Sequence, residues 1–262
     1  MSSYDSNSVQ PVEGPAKPIS LGQASQSSSI EELKAAATDP VLTEDLALAL
    51  LKRADLPGEV IEQLSRNGGL MKSRKVKLAL VEHPRAPRHI TMPMVGHLFT
   101  FDLMQVALAP VVPADVKVAA DRALIHRLEK ISTGEKLSLA HRASGRVAGA
   151  LLLDAEPRVM QAALENSRLT EAAVIKALMR HRTPAPFVES VCRHPKWSVR
   201  REIRVALLRN EKTPLARALE FARLLPPALV HEILQGSRLP GNIKSYVLHE
   251  LQPHDGNGSA GR

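Results

Sequence analysis

Ala206-Leu207-Leu208-Arg209-Asn210-Glu211-Lys212-Thr213-Pro214 decides the reading of this chain, because the frame it defines occurs three times. The other copies are Ala79-Leu80-Val81-Glu82-His83-Pro84-Arg85-Ala86-Pro87 and Ala162-Ala163-Leu164-Glu165-Asn166-Ser167-Arg168-Leu169-Thr170. Each has an aliphatic residue three positions upstream: Val76, Val159 and Ile203. The copies are offset by 83 and 44 residues, which predicts a unit of roughly 40 residues with a degenerate copy between the first two. That is the period of stacked helical pairs.

Each position of the frame has an architectural role. The small Ala lets a neighbouring helix approach, and the Leu or Val two residues later fills the space. Asn or His ends the helix, where a left-handed residue or a side-chain hydrogen bond can satisfy free carbonyls. Arg or Lys follows two residues on, near the negative end of the helix dipole. Pro or Thr then opens the next helix.

Outward from the frame the pattern stays helical. Ile203, Ala206, Leu207 and Asn210 share a face, and Leu215, Leu219, Ala222 and Leu225 recur every three or four residues. No segment alternates with period two, so no sheet is expected. Ser29-Ile30-Glu31-Glu32 and Ser132-Thr133-Gly134-Glu135 have capping-box spacing, and Thr43, Thr170 and Ser198 are predicted N-caps. Pro57, Pro87, Pro113, Pro184, Pro214 and Pro240 fall where helices should begin, in the first turn. The expectation is about fifteen helices of ten to fifteen residues.

The 262-residue chain is 44% hydrophobic but holds only one Trp, two Tyr and four Phe, so its core must be Leu, Ala, Val and Ile. Its single cysteine, Cys192, excludes an internal disulfide, and its apolar neighbours predict a buried, inert thiol. The net charge of +8 is carried by the folded part, not the tails, and favours acidic partners. Residues 1–29 are rich in Ser, Gln, Pro and Gly and are expected to be disordered, as is the short segment 253–262. The folded region is 30–252. No basic-then-apolar leader and no run of about 20 apolar residues is present, so a cytoplasmic protein is expected and a membrane association is not.

The frame, and above all His194-Pro195-Lys196-Trp197-Ser198-Val199-Arg200 through Asn210-Glu211-Lys212-Thr213-Pro214, resembles bacterial HEAT-like and leucine-rich-repeat-variant α-solenoids. The resemblance covers residues 35–250 and is strongest after 157. It implies an all-α, right-handed solenoid of stacked helix pairs. It also implies protein–protein interaction as the commonest use of such an array.

Candidates for binding are basic clusters. Arg193, His194, Lys196, Trp197, Arg200, Arg201 and Arg204 form a run in which guanidinium groups near a helix start could grip phosphate or carboxylate, with Trp197 as a stacking surface. The alternative is that Trp197 anchors an inter-repeat joint. Lys72, Arg74, Lys75 and Lys77 form a second cluster, with Lys75 and Lys77 as candidates to touch an acidic ligand; His141, Arg142 and Arg146 form a third.

His231-Glu232 and His249-Glu250 resemble the His-Glu pairs of HEAT-type di-iron hydroxylases, but those enzymes need four pairs, so no metal or other cofactor is expected. Gly256-Asn257-Gly258-Ser259-Ala260-Gly261 matches a dinucleotide motif by letters alone, without the strand and helix that motif requires. The expected function is therefore a non-catalytic, monomeric scaffold or adaptor that binds a macromolecule, foremost a protein, on its concave face. The alternative is nucleic-acid backbone binding in a basic groove. A glycosylase similar to the HEAT-like alkylpurine DNA glycosylases is the remote form of that alternative, since few aromatics are present to stack on bases.

Overall fold

A computed structural model describes residues 29–39 and 41–252; the expectations for 1–28 and 253–262, the Gly256–Gly261 motif included, lie outside the described residues. Among the described residues there are sixteen α-helices, one short 3-10 turn at Leu70–Lys72, and no strand. The chain divides into two compact units at Met94/Val95.

The first unit holds α1 (Ile30–Thr38), α2 (Glu44–Leu51), α3 (Gly58–Arg66), α4 (Arg74–Glu82) and nearly all of α5 (Arg88–Val95). Helix α1 packs on α3, and α2 packs on α4. Their shared core includes Leu33, Leu50, Val60, Ile61, Val76 and Leu80.

The second unit holds α6 (Thr100–Leu108), α7 (Ala114–Arg127), α8 (Thr133–Arg142), α9 (Gly145–Leu151), α10 (Pro157–Glu165) and α11 (Glu171–Leu178). It continues with α12 (Ala185–Arg193), α13 (Arg201–Leu208), α14 (Leu215–Arg223), α15 (Pro227–Gln235) and α16 (Gly241–Glu250). Helices α6 and α7 form a tight hairpin. From there each helix meets its sequence neighbour or the helix two along. One series runs α7, α9, α11, α13, α15; α8, α10 and α12 form a second, and α14 packs on α16.

Local sequence explains the helix boundaries. Thr43, Ser73, Ser144 and Thr170 each accept a hydrogen bond from the backbone N–H three residues on, and Ser132 with Glu135 completes a capping box. Two predicted caps are corrected. Ser29 is the N-cap of α1 but its side chain makes no capping bond. Ser198 lies within the turns of 195–199, and α13 starts only after its N-cap, Arg200.

The prolines stand one position earlier than expected. Pro57, Pro113, Pro184, Pro214 and Pro240 are N-caps in extended conformation. Pro87 directly precedes α5, and its carbonyl accepts from Ile90 and Thr91. A fixed φ and a missing N–H suit that position, since only its carbonyl enters the helix.

The core is aliphatic as composition demands. Among the largest fully buried side chains only Trp197, Phe187 and Phe221 are aromatic. Cys192 is buried, and that burial pushes its thiol up to about 12.

The frames close α4, α10 and α13, so 83 residues span six helices and 44 span three, about 14 per helix. The frame marks the end of a single helix. Because three is odd, the copy ending α13 falls in a different series from the one ending α10.

Candidate functional site

The frame residues hold one helix end to another. Asn166, just past α10, donates from Nδ2 to the carbonyls of Ala140 (2.7 Å) and Ala143 (3.2 Å) at the end of α8. Its Oδ1 accepts from the Arg168 N–H at 2.7 Å. Asn210, past α13, donates to Leu178 O at the end of α11 (2.7 Å) and accepts from Lys212 N–H (2.9 Å).

His83 does the same after α4. Its Nδ1 accepts from Arg85 N–H at 3.1 Å, which leaves Nε2–H to donate to Arg53 O, just past α2, at 2.9 Å. The geometry therefore assigns the Nε2–H tautomer and explains why His and Asn alternate at one frame position: each offers an acceptor and a donor side by side.

The following Arg adds a second tie. Arg85 Nη1 donates to Asp55 O (2.8 Å) and Arg168 Nη1 to Arg142 O (3.3 Å). These guanidinium groups serve the helix two back, not the helix they follow, as the sequence had implied. The cap residues are extended rather than left-handed: His83 has φ −68° and Asn166 φ −58°. Among the described residues the single non-glycine with positive φ is Arg182.

Other residues fill the same role where the frame is absent. Arg127 at the end of α7 donates to Gly96 and Leu98 in the turn before α6, and the Arg238 N–H past α15 bonds Arg209 O at the end of α13. After α12, the indole Nε1–H of Trp197 donates to Leu164 O in α10 at 2.9 Å.

That bond places the predicted basic run. Trp197 is 1% exposed, with Lys196 Nζ 4.3 Å and the Arg200 guanidinium 5.4 Å from its ring centroid. Arg200 also pairs with Glu171 on α11 (2.8 Å), and Arg204 Nε donates to Ser198 O (2.8 Å). Arg193 lies 3.6 Å from Glu189, and Arg201 lies 4.0 Å from Glu202. Burial holds His194 below the ordinary imidazole range, despite an attraction from Glu165. Lys75 is 3.8 Å from Glu44, and Lys77 is half-buried on the same helix, α4.

Two clefts open between successive helices of a series in the second unit. One, of about 760 Å³, lies between α10 and α12 and includes Arg158 and Arg193 with Glu165 and Glu189, a balanced set. The other, of about 550 Å³, lies across α7, α9 and α11. Its floor includes Gly145, Gly149, Ala150, Ala173 and Ala177.

The floor is low because α9 and α11 approach closely. A Cβ on Gly145 would overlap the Arg168 carbonyl oxygen, and one on Gly149 would come 3.2 Å from Ala173 Cβ. Around it stand Lys136, Arg146, Lys176 and Arg180, with Glu129 and Asp154. Lys136 pairs with Asp154 at 2.9 Å, and Arg146 Nε is 4.0 Å from Asp121.

Among the described residues neither Lys176 nor Arg180 has a carboxylate at ion-pair distance, and both are exposed. Sequence reading picks out Arg146 but not Lys176 or Arg180, which there look like ordinary cations at the end of a helix. Asp121 beside this cleft is buried and accepts from Ser144 Oγ at 2.6 Å. Burial raises its carboxyl above the usual range, partly countered by Ser144 and Arg146.

Among the described residues no three His, Cys, Asp or Glu side chains converge on one point, and no helix is long and apolar enough to cross a membrane. Compared with protein-family models, curated proteins and solved structures, the chain matches none.

Proposed function

We propose that this protein is a non-catalytic helical-repeat scaffold: a right-handed, HEAT-like α-solenoid whose stacked helix pairs bind another macromolecule, a protein, on a concave face. The observation that carries this reading is the register between alternate helices. Six helix ends, from α1 to α13, are tied by a residue that follows the helix two along, beginning with Asn67 Nδ2 on Asp39 O. Helices that, within each unit, meet a sequence neighbour or the helix two along are what an array growing by addition requires, and the product of such growth is extended surface.

The side chains best suited to chemistry support the same view. His83, Asn166, Asn210 and Trp197 are buried and engaged with backbone carbonyls, so recognition falls to the surface side chains and the clefts between helices.

The test is capture with the immobilised full-length chain from native lysate, followed by a binding isotherm with each purified partner. A saturable protein complex is expected. A chain that enriches no protein over the bare matrix would overturn the scaffold reading. The basic charge keeps nucleic acid as the second reading. A labelled duplex whose binding falls steeply between low and moderate salt would favour it.

A further inference from the structure

We propose that the cleft across α7, α9 and α11 is a docking site for an acidic segment of a partner protein, whose carboxylates seat on Lys176 and Arg180. The inference rests on the scaffold reading and names the site and the chemistry of its partner.

Three observations point to this occupant. The first is shape. The 550 Å³ cleft is floored at Gly145, Gly149 and Ala173 by little more than backbone and methyl groups, so a peptide main chain can approach closely. The second is charge. Four cations face two carboxylates there, whereas the α10/α12 cleft is balanced, with Arg193 already beside Glu189. Lys136 and Arg146 have acidic neighbours in Asp154 and Asp121, so the unmatched charge is that of Lys176 and Arg180.

The third observation separates a peptide from a nucleic acid. No aromatic side chain lines the cleft to stack on a base, and its apolar lining, Leu128, Ala150, Leu151 and Ala177 among it, offers nothing to a chain of phosphates. A peptide that alternates acidic and small apolar residues meets both kinds of surface. Its carboxylates reach the two free cations, and its apolar side chains cover Ala150 and Ala177.

The experiment is fluorescence anisotropy with a short fluorescein-labelled peptide of alternating Glu and Ala, titrated with the full-length protein. Saturable binding is expected. Lys176→Glu with Arg180→Glu, both exposed, is expected to weaken it at least about tenfold. Ala150→Trp, an exposed position on the floor, should abolish binding without changing net charge.

Arg223→Glu with Arg238→Glu makes an equal charge change at two exposed positions outside the cleft's lining and should leave affinity within about twofold. Circular dichroism of each variant separates lost binding from lost folding. If a cleft variant fails to fold, Lys176→Ala with Arg180→Ala carries the same expectation with a smaller loss.

The proposal is overturned by a wild-type protein that ignores the peptide, by equal losses in the cleft and distant pairs, or by duplex DNA that displaces the peptide in a Lys176- and Arg180-dependent manner. If peptide binding fails while a captured protein partner still binds, the cleft assignment falls and the scaffold reading stands. If no protein partner is captured at all, the scaffold reading falls with it.

Discussion

The Asn166 side-chain amide donates to the Ala140 carbonyl oxygen, 2.7 Å away and 26 residues earlier in the chain. One uncharged side chain thereby fixes the ends of α8 and α10 in register while its Oδ1 holds the turn that leads toward α11. His83 and Asn210 stand in the same relation to Arg53 and Leu178.

If that relation is what selects Asn or His at this frame position, substitution should be graded by donor and acceptor content. Asn166→Ala leaves Ala140 O and Ala143 O without their side-chain donor in a buried setting and is expected to cost about 2–3 kcal/mol. Asn166→His retains an acceptor beside a donor, as His83 does, and should recover part of that loss. Asn166→Asp, isosteric but without the donor, should be at least as damaging as Ala. Urea midpoints for the three variants check the order; equal losses for Ala and His would remove the hydrogen-bond explanation.

Trp197 serves the same joint with different chemistry, and it also provides a built-in reporter. Its indole is buried and bonded to Leu164 O, so emission should be blue-shifted in the folded protein and move red on unfolding. Trp197→Phe keeps a large apolar group but leaves a buried carbonyl unpaired, a loss of about 1–3 kcal/mol. Trp197→Ala should cost about 3–5 kcal/mol by adding a cavity. Thermal unfolding followed by circular dichroism checks both. A Phe variant as stable as the parent would mean that the N–H bond contributes nothing beyond packing.

The limits of sequence reading follow from these same residues. Thr43, Thr170 and the Ser132–Glu135 box are legible because a cap and its N–H lie within three residues. The aliphatic core is legible from composition. The partner of Asn166 is not, because Ala140 reaches it only once α8 and α10 are side by side. The frame closes α4, α10 and α13, while Trp197 and the Arg238 N–H tie other helix ends without it, so its spacing counts helices and not stacked units. Lys176 and Arg180 are invisible as a site because Arg146 and Lys136, the cations they share a cleft with, come from other helices. Trp197 reads equally well as a stacking surface or a joint until its burial and its bond to Leu164 place it.

Glycines 134 and 145 make a paired test of close packing. Gly145 opens α9 against the Arg168 carbonyl, and Ala there forces the backbone apart, with an expected loss of about 1–3 kcal/mol. Gly134, in the first turn of α8, has open space where a Cβ would stand. Gly134→Ala should leave stability unchanged or raise it by up to about 1 kcal/mol. Chemical denaturation should lower the midpoint for Gly145→Ala and leave it unchanged or raise it for Gly134→Ala. A Gly145→Ala protein as stable as the parent would show that the start of α9 is not held against the Arg168–Leu169 turn.

Asp121 ties stability to pH with a sign opposite to that of a salt-bridged carboxylate. Burial raises its carboxyl in the folded state above the unfolded value, the Ser144 hydroxyl and Arg146 only partly opposing this. The folded chain therefore binds the proton more tightly than the unfolded one. The stabilisation from that proton is complete below the unfolded value, near 3.8, and is lost as pH rises through the folded value. At neutral pH the ionised side chain is then a net cost. Asp121→Asn keeps an oxygen to accept from Ser144 Oγ and removes the charge, so it should stabilise the protein at pH 7. The advantage should shrink as pH falls toward 4, where the parent carboxyl takes up its proton. Urea denaturation of parent and variant at both pH values measures the difference. An Asn variant less stable than the parent at pH 7 would mean that attraction to Arg146 outweighs the burial of the charge.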